Sequence, residues 1–482
     1  MKFLNQLGIG TLSRRTAWVG SAKTLTILSF IAANIYLTRR LSVSDFGRYQ
    51  QVWLIIRTLT PIFLLGIPQA LNYFIPQTDR KTGRSYLTVF NLILLCMGII
   101  IAAVSYLKPE AITLIAGNRE IVPLVSIAGL YLLFILPSNL LEPVLIFQKK
   151  VREYFLWNLS FTVIFICIVF YGGYIDDLEW IFQGLAGLAF FKALVALIRS
   201  QTTLGMGNPG HISDRKKHLF RYLLVLGSIG FVDILTAHMD KYLVSHFTGE
   251  EKFAIYSIGS IEIPLAGLLL SAVTAVVMPE FSRLIAQKKH SQVLSLLKRS
   301  MEKLAVFIFP VFIYSMLTAH FFIPFFFSEK YMDSIPIFII YLVMLPMRAI
   351  NNHPYLIAAG LQRYALYARI IDIIINFVLG IILLKWVGIA GPAVSTVLAS
   401  YVHKAYQTGI VCKNLDVSLK RIYPWRGLMR IFTVSAVSGL PLFLLLLQGK
   451  DLTAIPLVIG SVIFIGIYMA FTPWILRRAG RD

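Results

Sequence analysis

Apolar runs of about 20 residues, the length of helix that spans a bilayer, recur along the whole chain and are separated by short polar segments. Each run predicts a transmembrane helix, because in lipid a helix satisfies its own backbone groups. We therefore predict an all-α integral membrane protein with about 14 transmembrane helices. The predicted spans are residues 17–38, 49–75, 86–107, 121–146, 153–173, 178–199, 218–246, 253–279, 303–327, 334–359, 364–386, 388–412, 427–447 and 452–475.

The distribution of lysine and arginine predicts the orientation of these spans. If the N-terminus is cytoplasmic, the cytoplasmic segments carry about three times as many basic residues as the external ones, as the positive-inside rule requires. An even number of spans then places both termini in the cytoplasm. Residues 280–302 mix apolar residues with lysines and arginines, which suits a helix lying on the cytoplasmic leaflet. The main exceptions to the rule are Arg39, Arg40 and Arg48, on the predicted outside.

Composition excludes several other classes of protein. The net charge of +22 taken alone could indicate a nucleic-acid binder, but 57% hydrophobic and 14% charged residues exclude that class. Three separated cysteines in or next to apolar runs argue against a disulfide framework or a metal site. The external loops are short, and the chain has no nucleophile triad and no nucleotide-binding motif. We therefore expect no catalytic residues, no bound cofactor and no enzyme activity.

The chain also shows signs of an internal repeat. The glycine-rich, polar stretch 200–218 separates the first six spans from the next six. A Phe-x-x-Tyr motif lies at the start of the second and of the eighth span, and each of these spans ends at a proline. Both segments open on the same side, as in the parallel repeats of two-lobed transporters. Coincidence between two aromatic-rich helix starts is the alternative. The matching residues are Phe46, Tyr49 and Pro76 in one half and Phe253, Tyr256 and Pro279 in the other.

Several segments resemble a known family. "RRLSVSDFGRYQ", "GIPQALNYFIPQ", "HMDKYLVSHFTGEEKFAIYSIG", "VVMPEFSRL" and "VGIAGPAVSTVLAS" are similar to the polysaccharide-transporter branch of the multidrug/oligosaccharidyl-lipid/polysaccharide (MOP) exporter superfamily, which includes the O-antigen (Wzx-type) flippases. The resemblance implies two six-helix lobes related by pseudo-two-fold symmetry around a central cavity, plus two C-terminal helices. The predicted parts are an N-lobe (1–200), a cytoplasmic linker (201–217), a C-lobe (218–412) and a two-helix extension (413–482).

Basic residues within the spans are the first candidates for a binding site. Lys23 and Arg57 each lie eight residues inside opposite interfaces, about 12 Å deep at 1.5 Å per residue. In a hydrocarbon core of about 30 Å the two come within about 6 Å of the same level. We expect both to face a cavity and to attract a pyrophosphate, with a hydrated crevice or a helix carbonyl as the alternative partner.

Two further cations are candidates for the same cavity. Lys192 lies seven residues from Arg199 at the cytoplasmic end. Its side chain could therefore equally well extend to the cytoplasmic interface instead of facing the cavity. Arg348 lies in the middle of the tenth span, near several prolines. The candidate substrate-binding set is Lys23, Arg57, Lys192 and Arg348.

Acidic residues in the spans suggest a second kind of site. Asp233, Asp240 and Lys241 share one helical face, and Glu262 lies in the eighth span. Buried carboxylates of this kind form ion pairs that orient helices, or bind the H⁺ or Na⁺ that drives transport. Arg369 and Asp372, three residues apart, are expected to neutralise each other.

The resemblance implies a flippase in the bacterial inner membrane. Its expected substrate is an undecaprenyl-pyrophosphate-linked oligosaccharide, an O-antigen or exopolysaccharide repeat unit, moved by alternating access and coupled to an ion gradient. Expected partners are this substrate, membrane lipids and other membrane proteins of polysaccharide assembly, but no nucleic acid. The alternative is a cation-coupled multidrug antiporter of the related branch, although the first-half spans hold three basic residues against Glu142 alone. A polymerase or ligase of the same pathway fits less well, because no external loop could hold a catalytic domain.

Overall fold

The computed structural model describes residues 11–204, 216–447 and 454–478, in which every regular element is helical. Most of the predicted linker lies outside these residues. The helices fall into two compact units, Met1–Ala254 and Ile255–Asp482. The helices that begin in the first unit are α1 (Thr11–Arg40), α2 (Val43–Leu64), α3 (Ile67–Phe74), α4 (Arg80–Leu107), α5 (Pro109–Thr113), α6 (Val122–Ser138), α7 (Leu141–Phe147), α8 (Val151–Tyr174), α9 (Leu178–Leu204), α10 (Lys216–Thr248) and α11 (Glu250–Gly259).

The second unit continues with ten further helices. Two short 3-10 segments, Ile75–Gln77 in the first unit and Glu329–Ser334 in the second, complete the regular structure of the described residues. The helices are α12 (Pro264–Ala286), α13 (His290–Phe327), α14 (Ile335–Leu342), α15 (Leu345–Arg348), α16 (His353–Ala358), α17 (Gln362–Val387), α18 (Ala390–Leu415), α19 (Leu419–Ile422), α20 (Trp425–Leu447) and α21 (Ala454–Arg478).

The all-helical membrane fold expected from the sequence is confirmed. Among the described residues, 12 helices are long and apolar enough to cross a membrane, and a shorter apolar helix covers Leu457–Pro473. The predicted twelfth span corresponds to α18, which is not one of the 12. This helix has 26 residues but carries polar side chains, including His403 and Lys404, along its length.

Four predicted spans are interrupted helices. The second breaks at Leu65 and Gly66, where both residues adopt left-handed backbone angles, and the fourth breaks at residues 139–140. The eighth unwinds at residues 260–263, and the tenth is interrupted at residues 343–344 and again at 349–352. Prolines begin the segments after several of these breaks, at Pro68, Pro264, Pro346 and Pro354, where a missing backbone N–H is tolerated. Because breaks occur in the second and eighth and in the fourth and tenth spans, they follow a period of six spans.

The aromatic residues of the proposed repeat motif have similar burial in the two halves, whereas its prolines have different positions. The Phe and Tyr of both copies, Phe46, Tyr49, Phe253 and Tyr256, are all almost fully buried. Pro76 lies in the 3-10 segment that ends the second span, whereas Pro279 lies inside α12, which continues to Ala286. The aromatic part of the motif is therefore buried in both halves, whereas the two prolines lie at different places in their helices.

The first unit extends further along the chain than the predicted N-lobe, because α10 packs against α2. The Gln51 amide donates to the Ser245 hydroxyl at 3.1 Å, and the hydroxyls of Thr58 and Tyr242 are 2.6 Å apart. These contacts place the seventh span in the same compact unit as the first six. The lobe boundaries implied by the resemblance stay a prediction.

A polar network lies at the end of the first unit where α2 begins. Arg48, an exception to the positive-inside rule, forms ion pairs with Glu120 and, at 3.3 Å, with Asp45. Glu250 at the start of α11 accepts hydrogen bonds from Ser44 and Asn118, each at 3.2 Å. The charge of Arg48 is thus compensated within the protein, which explains how it can lie on the predicted outside.

Helix α13 differs from the surface helix expected for residues 280–302. It runs without interruption from His290 to Phe327, so the basic, amphipathic segment is the beginning of the ninth span itself. Its apolar residues Val293, Leu297 and Met301 are buried in a core cluster with Tyr355 and Leu356 of α16. Protein, and not lipid, covers this apolar face. Farther along α13, the C-terminal extension packs against it through hydrogen bonds from Tyr468 to the Val306 carbonyl and between Tyr314 and Ser461.

Candidate substrate pocket and intramembrane charges

A pocket of about 120 Å³ lies among five helices of the first unit, α1, α2, α6, α8 and α9. Its wall combines aromatic rings with short polar side chains, and its one charged lining residue is Lys192. This volume is small beside the roughly 300–1,000 Å³ of pockets for drug-sized ligands. In this conformation the pocket fits a compact polar group and not an oligosaccharide. The lining side chains include Thr26, Ser29, Phe30, Trp53, Tyr131, Asn158, Phe161, Thr162 and Phe165.

Arg57 is positioned beside this pocket by two of its aromatic residues. The guanidinium carbon lies 5.4 Å from the Phe30 ring centre and 5.9 Å from that of Trp53, within the range of cation–π attraction. The Phe30 and Trp53 rings themselves meet edge to face at 4.8 Å. Among the described residues, no carboxylate forms an ion pair with Arg57. Aromatic contacts hold the group in place while leaving its hydrogen-bond donors available for an anion.

Lys192 and Lys23 are linked through Glu142, a residue of α7. The Lys23 ammonium lies 3.0 Å from the Glu142 carboxylate, and Glu142 also interacts electrostatically with Lys192. Lys192 in addition lies over the Phe161 ring at 5.8 Å. Lys23 is seven residues, about 10 Å along the helix, from the Phe30 ring that Arg57 contacts. Lys23 therefore lies apart from the rings that hold Arg57. We call Lys192, which lines the pocket, and Arg57, which lies beside it, the pocket cations.

The chemistry available here is binding and not bond cleavage. Together Lys23, Arg57, Lys192 and Glu142 carry a net positive charge, in a setting where water is partly replaced by aromatic rings. Charged hydrogen bonds are strong in such surroundings. The arrangement favours a compact anion flanked by groups that can stack on aromatic rings. Among the described residues, no cluster of His, Cys, Asp and Glu could hold a metal ion.

The acidic candidates of α10 lie in different environments. Asp240 is 1% exposed, and its carboxylate is 3.8 Å from the Lys241 ammonium. Asp233, two turns earlier, is exposed. The shared helical face expected from the sequence thus runs from an open position at Asp233 to a buried one at Asp240.

Glu262 and Arg348 meet in the second unit, where two broken helices face each other. Glu262 lies in the unwound segment before α12, and Arg348 ends α15 between the two breaks of the tenth span. The Glu262 carboxylate is 2.9 Å from the Arg348 guanidinium. Unwound helices of this kind form substrate and ion sites in transporters, because their backbone groups are not used by the helix.

The structure reveals polar groups that the sequence did not single out. Lys404 on α18 is half-buried and interacts electrostatically with Arg348, Arg369 and Asp372. The Asp372 carboxylate is also 3.3 Å from a ring nitrogen of His403. Lys404 lies eight residues before the end of the predicted twelfth span and is not among the cations predicted to face a cavity. Only the packing of the twelfth span against the tenth, which the fold shows, places Lys404 near Arg348.

Comparison with known proteins identifies the family. The model of a family described as polysaccharide biosynthesis protein matches residues 36–336, which is more than half of the chain. The chain belongs to this family. No curated protein sequence matches it. The family description assigns the chain to polysaccharide biosynthesis, and its long apolar helices make it a multi-pass membrane protein.

Solved structures show the same fold at low sequence identity. The inward closed conformation of the lipid II flippase MurJ is 18% identical with a TM-score of 0.70, and the alignment covers 94% of this chain and 99% of that one. An inward-facing multidrug resistance MATE family transporter of the MOP superfamily is 14% identical with a TM-score of 0.61, covering 81% and 94%. A MOP superfamily transporter from Pyrococcus furiosus is 11% identical with a TM-score of 0.55, covering 84% and 95%. The predicted family resemblance and superfamily fold are confirmed.

Proposed function

We propose that this protein moves an undecaprenyl-pyrophosphate-linked oligosaccharide across the bacterial inner membrane by alternating access. The observation that carries the proposal is the pair of pocket cations, Arg57 and Lys192, held over aromatic rings in a member of a polysaccharide biosynthesis family. An arginine offers paired donors to phosphate oxygens, and a lysine adds a mobile point charge. The pyrophosphate would enter this pocket while the lipid tail stays in the bilayer.

An ion gradient is the proposed energy source. The carboxylates that suit H⁺ or Na⁺ binding are Asp240, which is buried, and Glu262, which lies in an unwound helix segment. Each has a basic residue close by, Lys241 or Arg348, so binding of an ion and of an anionic substrate would act on the same charges.

The first prediction tests the pocket in cells. Arg57→Gln and Lys192→Gln should each reduce surface polysaccharide at least tenfold, because the loss of one charged hydrogen bond to a phosphoryl oxygen weakens binding by about this factor. The measurement is surface polysaccharide per cell, with the amount of membrane-inserted protein determined in parallel.

Arg40→Gln is the matched control for Arg57. The Arg40 guanidinium lies over the Tyr36 ring at 5.9 Å, so it is also an arginine on an aromatic ring, but it lies outside the pocket. Wild-type polysaccharide in both pocket variants would refute the proposed function. Loss of drug resistance with unchanged polysaccharide would instead support the cation-coupled multidrug antiporter.

A further inference from the structure

We propose that Lys404, together with Arg348 and Arg369, forms a second anion site in the second unit, suited to a phosphoryl group. These three cations come from the tenth, eleventh and twelfth spans, at positions far apart in the sequence. Asp372, less than one turn after Arg369, lies 3.3 Å from a ring nitrogen of His403, the residue before Lys404, so the arginine and the lysine are on neighbouring helices at the same level. Like charges gathered in a partly buried place repel one another, and a bound anion removes that repulsion.

Two hydrogen bonds fix the level of Lys404 against that of Arg348. The Tyr401 hydroxyl donates to the Val343 carbonyl at 3.1 Å, and the Asn352 amide donates to the Thr408 hydroxyl at 2.8 Å. Residues 343–352 and residues 401–408 therefore run parallel to each other. Lys404 lies between Tyr401 and Thr408, and Arg348 lies between Val343 and Asn352. The two bonds therefore bracket the two cations and hold them at the same level.

The ammonium group of Lys404 has no fixed partner among the described residues. It forms no ion pair and no side-chain hydrogen bond there, and Asp372 interacts with it from beyond ion-pair distance. The Lys404 side chain also cannot reach the membrane interface at the C-terminal end of its helix. The helix continues for eleven residues to Leu415, about 16 Å, which is longer than a lysine side chain.

The arginine beside Lys404 also has donors to spare. A guanidinium group carries five N–H donors, and Glu262 contacts Arg348 at Nη2. Glu262 is 62% exposed at its side chain, so an incoming dianion can compete with it for Arg348. Three cations face two nearby carboxylates, Glu262 and Asp372, which leaves a net positive charge for the anion.

A phosphoryl group fits this set better than a carboxylate. It carries more charge and more acceptor oxygens, which can be shared between two guanidinium groups and an ammonium group. The site deepens the proposed function and rests on it for the identity of the substrate, since it would give the pyrophosphate a second contact. Binding of the anion itself can be tested separately.

The experiment is a titration of inorganic pyrophosphate into the full-length protein in phosphatidylcholine nanodiscs at low ionic strength. Isothermal calorimetry is carried out in the Arg57→Gln/Lys192→Gln background, so that the first pocket contributes little heat. Adding Lys404→Met should weaken the remaining binding about tenfold. Lys404→Arg, which keeps the charge, should retain most of it.

Lys413→Met is the matched control, because Lys413 is an exposed lysine near the end of the same helix. It should leave binding unchanged, and all variants should elute as monodisperse protein with similar melting temperatures. The proposal is overturned if the background variant binds no pyrophosphate, or if Lys404→Met binds as well as Lys413→Met. If polysaccharide export persists in the pocket variants while this titration succeeds, the proposed substrate is wrong and the anion site stands.

A second titration distinguishes a lipid headgroup from a soluble phosphoryl group as the natural ligand. Nanodiscs that contain phosphatidylglycerol present the protein with lipid headgroups of net negative charge, which phosphatidylcholine lacks. If the headgroup occupies the Lys404 site, these nanodiscs should weaken pyrophosphate binding more in the background variant than in the same variant with Lys404→Met, because surface repulsion affects both equally. Unchanged binding would assign the site to a phosphoryl group that does not belong to a bilayer lipid.

Discussion

A charge in a membrane segment carries an energetic penalty, and different partners reduce this penalty at Lys23, Arg57 and Arg348. Lys23 pairs with Glu142, Arg57 lies over two aromatic rings, and Arg348 pairs with Glu262. Aromatic contact lowers this penalty without neutralising the charge, so Arg57 is the strongest attraction for an anion among the three. At the scale of single residues, the partner of a cation decides whether it remains available for a ligand.

Glu142 should weaken anion binding in the first pocket, since it lies close to Lys23 and Lys192. We predict that Glu142→Gln strengthens pyrophosphate binding by a few-fold, a modest factor because Lys23 and Glu142 are 56% and 38% exposed and water screens their interaction. The measurement is calorimetric titration of pyrophosphate in nanodiscs. Glu110→Gln, at an exposed carboxylate on α5, should have no effect, and weaker binding in Glu142→Gln would contradict the prediction.

Helices α2 and α11 approach each other closely near the start of α2. A Cβ atom added at Gly47 would lie 2.2 Å from the Glu250 carbonyl oxygen, and backbone atoms cannot move aside as a side chain can. The chain therefore needs glycine here for space and not for backbone conformation.

We predict that Gly47→Ala destabilises the protein by roughly 1–3 kcal/mol, the usual penalty for overpacking. The start of α11 would have to move away from α2, which would disturb the hydrogen bonds that Glu250 accepts. Thermal unfolding of the purified protein measures the effect. Gly20→Ala is the control, because nothing lies within 4 Å of the added atom. Equal melting temperatures for the two variants would show that α11 is not held at this position.

At the scale of elements, the sequence predicted more of the helices than of their interruptions. Apolar runs locate the spans, since length and hydrophobicity are local properties. The break at residues 260–263 has a single local signal, Pro264, and prolines such as Pro310 lie inside the uninterrupted α13. Whether a proline ends a helix depends on the neighbours that can satisfy the freed backbone groups, and these neighbours come from distant parts of the chain.

The candidate site shows the same limit. Lys192 and Arg57 could be proposed from their depth, but the pairing of Lys23 with Glu142 joins residues far apart in the sequence. Lys404 was not predicted, because its proximity to Arg348 depends on how two separate spans pack. Depth along one helix can be predicted from the sequence, whereas the neighbour on another helix cannot.

For the whole molecule, the charge distribution predicts which side faces the cytoplasm. We predict that a cysteine introduced at Asp177 reacts with a membrane-impermeant maleimide in spheroplasts with an intact inner membrane. A cysteine at Lys288 should react only after permeabilisation of that membrane, because the positive-inside rule places its segment in the cytoplasm.

The background for this labelling is a variant in which Cys96, Cys167 and Cys412 are replaced by serine. The cysteine-free variant itself is the negative control and should remain unlabelled. The reverse pattern, with Lys288→Cys labelled in intact spheroplasts, would invert the orientation and place the Arg48 network in the cytoplasm.

The uninterrupted 38-residue helix α13 has a consequence for imaging this protein. At 1.5 Å per residue it is about 57 Å long, nearly twice the thickness of a hydrocarbon core of about 30 Å. Crossing near the membrane normal, it extends about 27 Å in total beyond the lipid tails. A 54.3 kDa protein with short loops offers few landmarks for aligning electron-microscopy particles. A rigid fusion partner joined at residues 288–290 would continue this helix and supply that landmark.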